Sequence, residues 1–234
     1  MGPTFVSYYE AERFYAHIAD DIAGRLKRAV NARGVASLVC AGGSTPGPVY
    51  AKLATYPMPW AKIQITLSDE RWVSTVDADS NEFMLRRRLL KEAAAKAKFV
   101  PLKTRDENPR AAQGKVDKAI AAMAQPFDVT LLGMGADGHI ASLFPNSPDL
   151  GPAINLKEKS RVCAIRAPGA AGSSARLSLT LSAILRSRLI ILIMKGEDKR
   201  LVYNKALEPG SVAELPVRGV LQQTAVPVFA YWLR

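Results

Sequence analysis

Cysteine and histidine are scarce in this chain of 234 residues, which holds two of each. Cys40 and Cys163 lie in separate apolar, strand-like runs. They make no disulfide framework and no metal-ligand spacing, and each reads as a buried free thiol. Long apolar runs are missing too. The longest, Leu189–Met194 ("LIILIM"), is far too short for a bilayer and right for a central strand. The opening "MGPTFVSYYEAE" lacks a basic n-region and an apolar h-region, so no secretion signal is expected and a cytoplasmic location is. Acidic residues are the minority, 21 against 32 Lys and Arg, for a formal net charge of +11. That balance favours anionic partners. The densest basic run, "LRRRLLK" (Leu85–Lys91), has no interleaved aromatics, and no nucleic-acid motif stands elsewhere. It reads as a solvated helix face, so neither nucleic acid nor membrane is expected as a partner. A small phosphorylated or carboxylated metabolite would use the same charge equally well.

What is present is an alternation. "TFVSY", "VASLVC", "IQITL", "FDVTLLG", "RVCAI", "RLIILIM" and "VPVFAYWL" read as strands. Between them run helical patterns, the clearest from Glu10 to Ala32, with Phe14, Ile18, Ile22, Leu26 and Val30 at i, i+4 spacing. A long helix is expected over "EFMLRRRLLKEAAAKA", and others over "VYAKLATY", "NPRAAQGKVDKAIAAMA" and "EDKRLVYNKAL". Strands apolar on both faces, alternating with helices, predict an α/β fold: a mostly parallel, twisted, modified Rossmann-like sheet with helices on both faces. No repeat or linker interrupts residues 1–234, so a single domain is expected. The loosest segment, Pro145–Lys159, has a length that suits an active-site loop.

Parallel sheets bind ligands beyond the carboxyl ends of their strands. Three loops leave strand ends in this way: "AGGSTPGP", "SDERW" and "GMGADGHIASLFP". In the last, Gly133, Gly135 and Gly138 match G-x-G-x-x-G, the dinucleotide fingerprint. The context argues against a dinucleotide. Pro145 and Pro148 follow too soon for a long helix after Gly138, and the acidic residue about twenty positions on, Glu158, lies in a polar stretch. The alternative is a catalytic loop, whose glycines admit a ligand while Asp137 and His139 face it. Taken alone, His139 reads rather as a loop histidine bonded to backbone with no chemistry, and His17, beside the apolar stripe of the first helix, as structural. In "AGGSTP", Gly42 and Gly43 clear space while Ser44 and Thr45 offer hydroxyls and amides before a helix start, either a phosphate cradle or a capped turn. "SDERW" sets Asp69, Glu70 and Arg71 at a strand end, either an anion-binding arginine or a surface ion pair.

Together these motifs closely resemble one family, the 6-phosphogluconolactonases. The matching pieces are "GGSTP" (Gly42–Pro46), "DERWV" (Asp69–Val73), "SN" (Ser80–Asn81), "LGMGADGHIASLFP" (Leu132–Pro145), "RLSLT" (Arg176–Thr180) and "GEDK" (Gly196–Lys199). They occur in the family's order and span nearly the whole chain. The related glucosamine-6-phosphate deaminases resemble "DGHIAFNEP", with a glutamate where "DGHIASLFP" has none, and carry tyrosine where Arg71 stands. A non-catalytic sugar-phosphate sensor is the other alternative.

The resemblance implies hydrolysis of 6-phospho-D-glucono-1,5-lactone to 6-phospho-D-gluconate in the oxidative pentose phosphate pathway. His139 is then the general base that activates water, Asp137 its orienting partner, and Arg71 a substrate-binding and charge-stabilising group. Gly42, Gly43, Ser44 and Thr45 face the 6-phosphate, and Arg176 and Lys199 supply its countercharge. Asp69, Asn81 and Gly135 complete the substrate-facing set. No cofactor and no metal is expected. Ser142 is an available nucleophile, but no G-x-S-x-G elbow surrounds a serine here, which favours water. A monomer or weak homodimer is expected. The chain departs from the family's habit at Ala41, where serine is usual, at Asn146, where glycine is commoner, and in "APGAAGSSA" (Ala167–Ala175).

Overall fold

In the computed structural model, which describes residues 2–234, strand β1 (Thr4–Tyr8) leads into helix α1 (Ala11–Arg33). Phe14, Ile18, Ile22, Leu26 and Val30 are all buried, one per turn, so the i, i+4 stripe is the face that α1 turns to the core. Gly34 ends the helix in the left-handed conformation (φ 77°), its N–H donating to the Val30 carbonyl at 2.8 Å. There follow β2 (Ala36–Cys40), α2 (Gly47–Ala54), β3 (Ile63–Leu67), β4 (Asp69–Arg71), α3 (Asn81–Arg88), β5 (Lys98–Phe99) and α4 (Pro109–Ala121). The chain continues through β6 (Val129–Gly133), α5 (Leu150–Ile154), β7 (Val162–Arg166), β8 (Ala175–Leu179), α6 (Leu181–Ile184) and β9 (Ile190–Lys195). It closes with α7 (Glu197–Leu207), α8 (Arg218–Leu221) and β10 (Val228–Leu233).

Seven strands form one parallel sheet in the order β1-β10-β9-β6-β2-β3-β5. Every residue of β2 is buried, as are Ile190–Met194 of β9, so the sheet's centre is covered on both faces, as the unbroken apolar runs predict. From β2 the chain moves outward to β3, whereas from β6 it moves the other way, to β9. The direction of winding therefore reverses between neighbours β2 and β6, and such a reversal opens a crevice at the carboxyl ends of the strands.

Three features differ from the sequence expectation. "RVCAI" is a strand, but it joins a separate antiparallel sheet, β4-β8-β7, rather than the parallel one. The helix over "EFMLRRRLLKEAAAKA" is broken: α3 ends at Arg88, Glu92 takes φ 49°, and a 3₁₀ turn covers Glu92–Lys96. Leu85 and Leu89 are buried, and continuing that stripe would carry Glu92 and Lys96 inward. The break buries Ala94 instead and leaves both charges outside. The third difference is Pro145–Lys159, none of whose residues is among those that line the strand-end crevice. It contains α5 and is tied to β7 by Asp149, which accepts from Arg166 Nε at 3.0 Å.

Candidate active site

Four neighbouring strands, β9, β6, β2 and β3, deliver their following loops to one end of the sheet. These loops line a cleft of about 230 Å³. Gly42–Pro46 comes from β2, Asp69 and Arg71 lie just past β3, Gly133 ends β6 with Met134, Gly135 and His139 beyond it, and Lys199 follows β9. Asn81 from α3 and Arg176 from β8 complete the walls. Every residue that the sequence places in the site except Asp137 is part of this lining, and Asp137 is bonded to a lining residue. A more open groove of about 630 Å³ runs along α1, past Tyr8, His17 and Asp20. No strand-end loop enters it. His17 Nδ1 lies 2.6 Å from the Tyr8 hydroxyl and keeps its structural reading.

The β6 loop builds a dyad. Oδ1 of Asp137 accepts the His139 backbone N–H at 3.1 Å and pairs with ring Nδ1 at 2.6 Å. A carboxylate accepts only, so Nδ1 carries the proton of that bond, and Nε2 is the ring nitrogen not engaged by Asp137. Burial pushes the Asp137 carboxyl up, but the hydrogen bond and charge of His139 outweigh it and hold the group below the usual carboxylate range. The glycine beside the dyad is a matter of space. A Cβ at residue 135 would lie 2.2 Å from Cε1 and Nδ1 of His139 and 2.6 Å from Oδ1 of Asp137. Gly138 turns the chain with φ 78°, and Ala141 does so with φ 49°, an uncommon conformation for a residue with a Cβ. Alanine gives no sign of this in the sequence.

Arg71 and Arg176 stand directly opposite each other across the β4–β8 pair. Asp69 and Glu70 are not the surface ion pair that their neighbours suggest, since both are buried and neither grips Arg71. Glu70 accepts the backbone N–H groups of Arg71, Asn81 and Glu82 at 2.7–2.8 Å and the Ser80 hydroxyl at 3.0 Å. Burial raises its pKa while these bonds pull it down. It anchors the start of α3, and so places Asn81, whose Nδ2 donates to the Asp69 carbonyl at 2.8 Å. Asp69 accepts from Ser68 at 2.9 Å and Ser142 at 2.6 Å, and faces Arg176 Nη1 at 3.9 Å. Ser142 is fully buried and spends its proton on Asp69, which removes it as a candidate nucleophile.

Arg176 is 3% exposed, with Nε and Nη2 donating to the carbonyls of Ser173 and Ala171. Burial and the nearby Arg71 pull its pKa down against the pull of Asp69. Arg71 donates to the Asp79 carbonyl, and its Nε is buried without a partner among the described residues. In the β2 loop, a Cβ on Gly42 would fall 2.0 Å from Oδ1 of Asn81, so only glycine fits there. Gly43 takes φ 94°, and Ser44 and Thr45 follow it along the cleft wall towards the start of α2. Lys199 sits in the first turn of α7. Burial pushes the Cys40 and Cys163 thiols up to about 12, which leaves them unreactive. Among the described residues, no three His, Cys, Asp or Glu side chains cluster as a metal centre requires. Ser68, Met134, Ala141 and Ile193 also line the cleft. Ser68, adjacent to "DER", was within reach of sequence reasoning; the apolar three carry no signal.

Residues 9–229 match a family model described as glucosamine-6-phosphate isomerases/6-phosphogluconolactonase. A 6-phosphogluconolactonase of Pseudomonas putida is 41% identical over 223 residues, covering 95% of this chain and 90% of that protein. One from Caulobacter vibrioides is 40% identical over 225 residues, covering 94% and 93%. The crystal structure of a 6-phosphogluconolactonase from Shewanella baltica matches with a TM-score of 0.95 at 38% identity, covering 99% of this chain and 98% of that one.

Proposed function

The chain belongs to the glucosamine-6-phosphate isomerase/6-phosphogluconolactonase family, and on that premise we propose how its cleft hydrolyses 6-phospho-D-glucono-1,5-lactone. It is a lactone hydrolase, and the product is 6-phospho-D-gluconate, a step of the pentose phosphate pathway. The observation that carries the mechanism is the Asp137–His139 pair at 2.6 Å, opening onto a cleft lined by Arg71, Arg176 and Lys199.

His139 Nε2 takes a proton from water as the water oxygen bonds to the lactone carbonyl carbon. Asp137 holds the ring in the tautomer that leaves Nε2 basic and stabilises the imidazolium that forms. The carbonyl oxygen gains negative charge, and the guanidinium of Arg71, which lines the cleft, supplies a donor for it. When the carbonyl re-forms, the bond to the ring oxygen breaks and His139 returns its proton to that oxygen. The acid so formed ionises in water. Gly42, Gly43, Ser44 and Thr45 receive the 6-phosphate with Arg176 and Lys199 as countercharges. Asp69 fixes Arg176, while Asn81 and Gly135 shape the space for the sugar.

We place the reaction in the cytoplasm, on a monomer or weak homodimer that needs no nucleic acid. No helix among the described residues is long and apolar enough to cross a membrane. The test generates lactone in situ from glucose 6-phosphate and compares wild type, His139→Ala and an enzyme-free blank, because the lactone also opens spontaneously. Wild type should collapse the lactone lifetime and His139→Ala should match the blank. Equal activity in both proteins would remove the general base from this account.

A further inference from the structure

We propose that Phe144 is a positioning residue that sets the spacing between the general base and the phosphate-side arginine. The inference rests on the roles given above to His139 and Arg176. Those two residues come from different sheets, and no direct bond joins them among the described residues. One side chain touches both. The Phe144 ring lies against the His139 imidazole with centroids 4.1 Å apart and planes inclined by 33°. The Arg176 guanidinium carbon lies 5.2 Å from the centroid of the same ring. The two separations together limit how far the imidazole can stand from the guanidinium, and a rigid aromatic ring keeps that limit constant.

The chain around Phe144 is built to hold the ring still. Ala141, at φ 49°, redirects the backbone immediately after the histidine loop. Ser142 then locks onto the small sheet, its N–H donating to the Ser178 hydroxyl at 3.2 Å and its own hydroxyl to Asp69 at 2.6 Å. Asp69 is the carboxylate that faces Arg176. Leu143 is fully buried. The segment is thus fastened to the frame that carries Arg176, and it presents the ring back towards His139. A flat, quadrupolar surface suits both neighbours: it attracts the guanidinium cation and packs on imidazole without competing for its nitrogens.

The substrate places the same demand on the site. Its phosphate and its reacting carbonyl stand at opposite ends of a six-carbon skeleton. A fixed spacing between cation and base therefore turns phosphate binding into alignment of the carbonyl. Phe144 would then act on phosphorylated lactones more than on plain ones.

Phe144→Leu removes the ring and keeps an apolar side chain, while Phe144→Tyr keeps the ring. Both are compared with wild type on 6-phospho-D-glucono-1,5-lactone and on unphosphorylated D-glucono-1,5-lactone. Phe144→Leu should lose about 10- to 100-fold in kcat/KM on the phosphorylated lactone and lose part of the preference for it, with kcat lowered and KM raised. Phe144→Tyr should recover most of both. Equal losses on the two lactones would mean that the ring serves His139 alone and would overturn the spacing role, as would a folded Phe144→Leu with wild-type kinetics. A second readout needs no activity. The chain's two histidines give two ring Hε1 resonances in proton NMR. Phe144→Leu should move the His139 signal and leave that of His17 in place, and an unmoved His139 signal would overturn the contact itself. If wild type lacks lactonase activity, the functional proposal fails and the spacing role falls with it, while the NMR comparison still decides whether Phe144 packs on the histidine.

Discussion

Replacing Gly135 by alanine should nearly abolish turnover while leaving the protein folded. Gly135 lies outside the left-handed region, so its backbone accepts alanine without strain. The obstacle is the added methyl, placed 2.2 Å from two ring atoms of His139 and 2.6 Å from Oδ1 of Asp137. Carbon contacts settle at about 3.5–4.0 Å, so the ring must retreat by roughly 1.5 Å and the carboxylate by roughly 1 Å. A misplacement of about 1 Å in a reacting group can cost about 10²-fold in rate, and kcat should fall by at least that factor. KM should change less, because Ser44, Thr45, Arg176 and Lys199 approach the cleft from other elements. The stability cost of overpacking one partly exposed loop should stay within about 1–3 kcal/mol. Lactone lifetime measured against the uncatalysed background gives the rate, and far-UV circular dichroism with a thermal melt reports the fold. A folded Gly135→Ala with kcat within about threefold of wild type would show that the dyad's position does not limit the reaction.

Three further changes test separate links. Asp137→Asn keeps the shape but can present an amide to Nδ1, so kcat should drop by about 10²-fold or more, read in the same assay. Because the folded state depresses the Asp137 pKa, the dyad's contribution to stability is present above the unfolded value of about 4 and is lost as pH falls through the lower, folded one. The difference in melting temperature between wild type and Asp137→Asn should therefore shrink in acid; a constant difference from neutral pH downward would contradict the depressed pKa. Ser142→Ala leaves a buried Asp69 oxygen short of a donor and should cost about 1–3 kcal/mol in denaturant unfolding, without the complete loss of turnover expected of a nucleophile. Gly114→Ala, inside α4 where an added Cβ meets nothing within 4 Å, should raise stability by about 0.5–1 kcal/mol and leave activity alone.

Much of the site was legible because its residues arrive in short runs after apolar strands. "GGSTP", "DER" and "GADGH" could be placed at strand ends from periodicity alone, and the topology brings all three to neighbouring strands. Arg176 and Lys199 were legible only through the family resemblance, since a lone basic residue carries no local pattern. The antiparallel sheet escaped because β4 is three residues long and β8 buries an arginine in mid-strand, which breaks the apolar alternation that marks a half-buried strand. The roles of Glu70 and Ser142 were hidden for a related reason. Each is defined by partners 10–73 positions away in the chain.

By itself, the sequence determined the parallel α/β sheet, the stripe that seats α1, and the identity of the loops that could hold chemistry. These follow from periodicity and turn chemistry, which are local and additive along the chain. Only the tertiary structure decided which charges face the cleft and which are spent inside. It directs Asp69 to Ser142 and Arg176, gives Glu70 to the start of α3, turns His139 Nδ1 to Asp137, and leaves Arg71 Nε without a partner among the described residues. The reason is that a buried polar group must find its partner wherever packing brings one. Which groups remain free for a substrate is settled by that long-range pairing, and neighbouring letters do not record it.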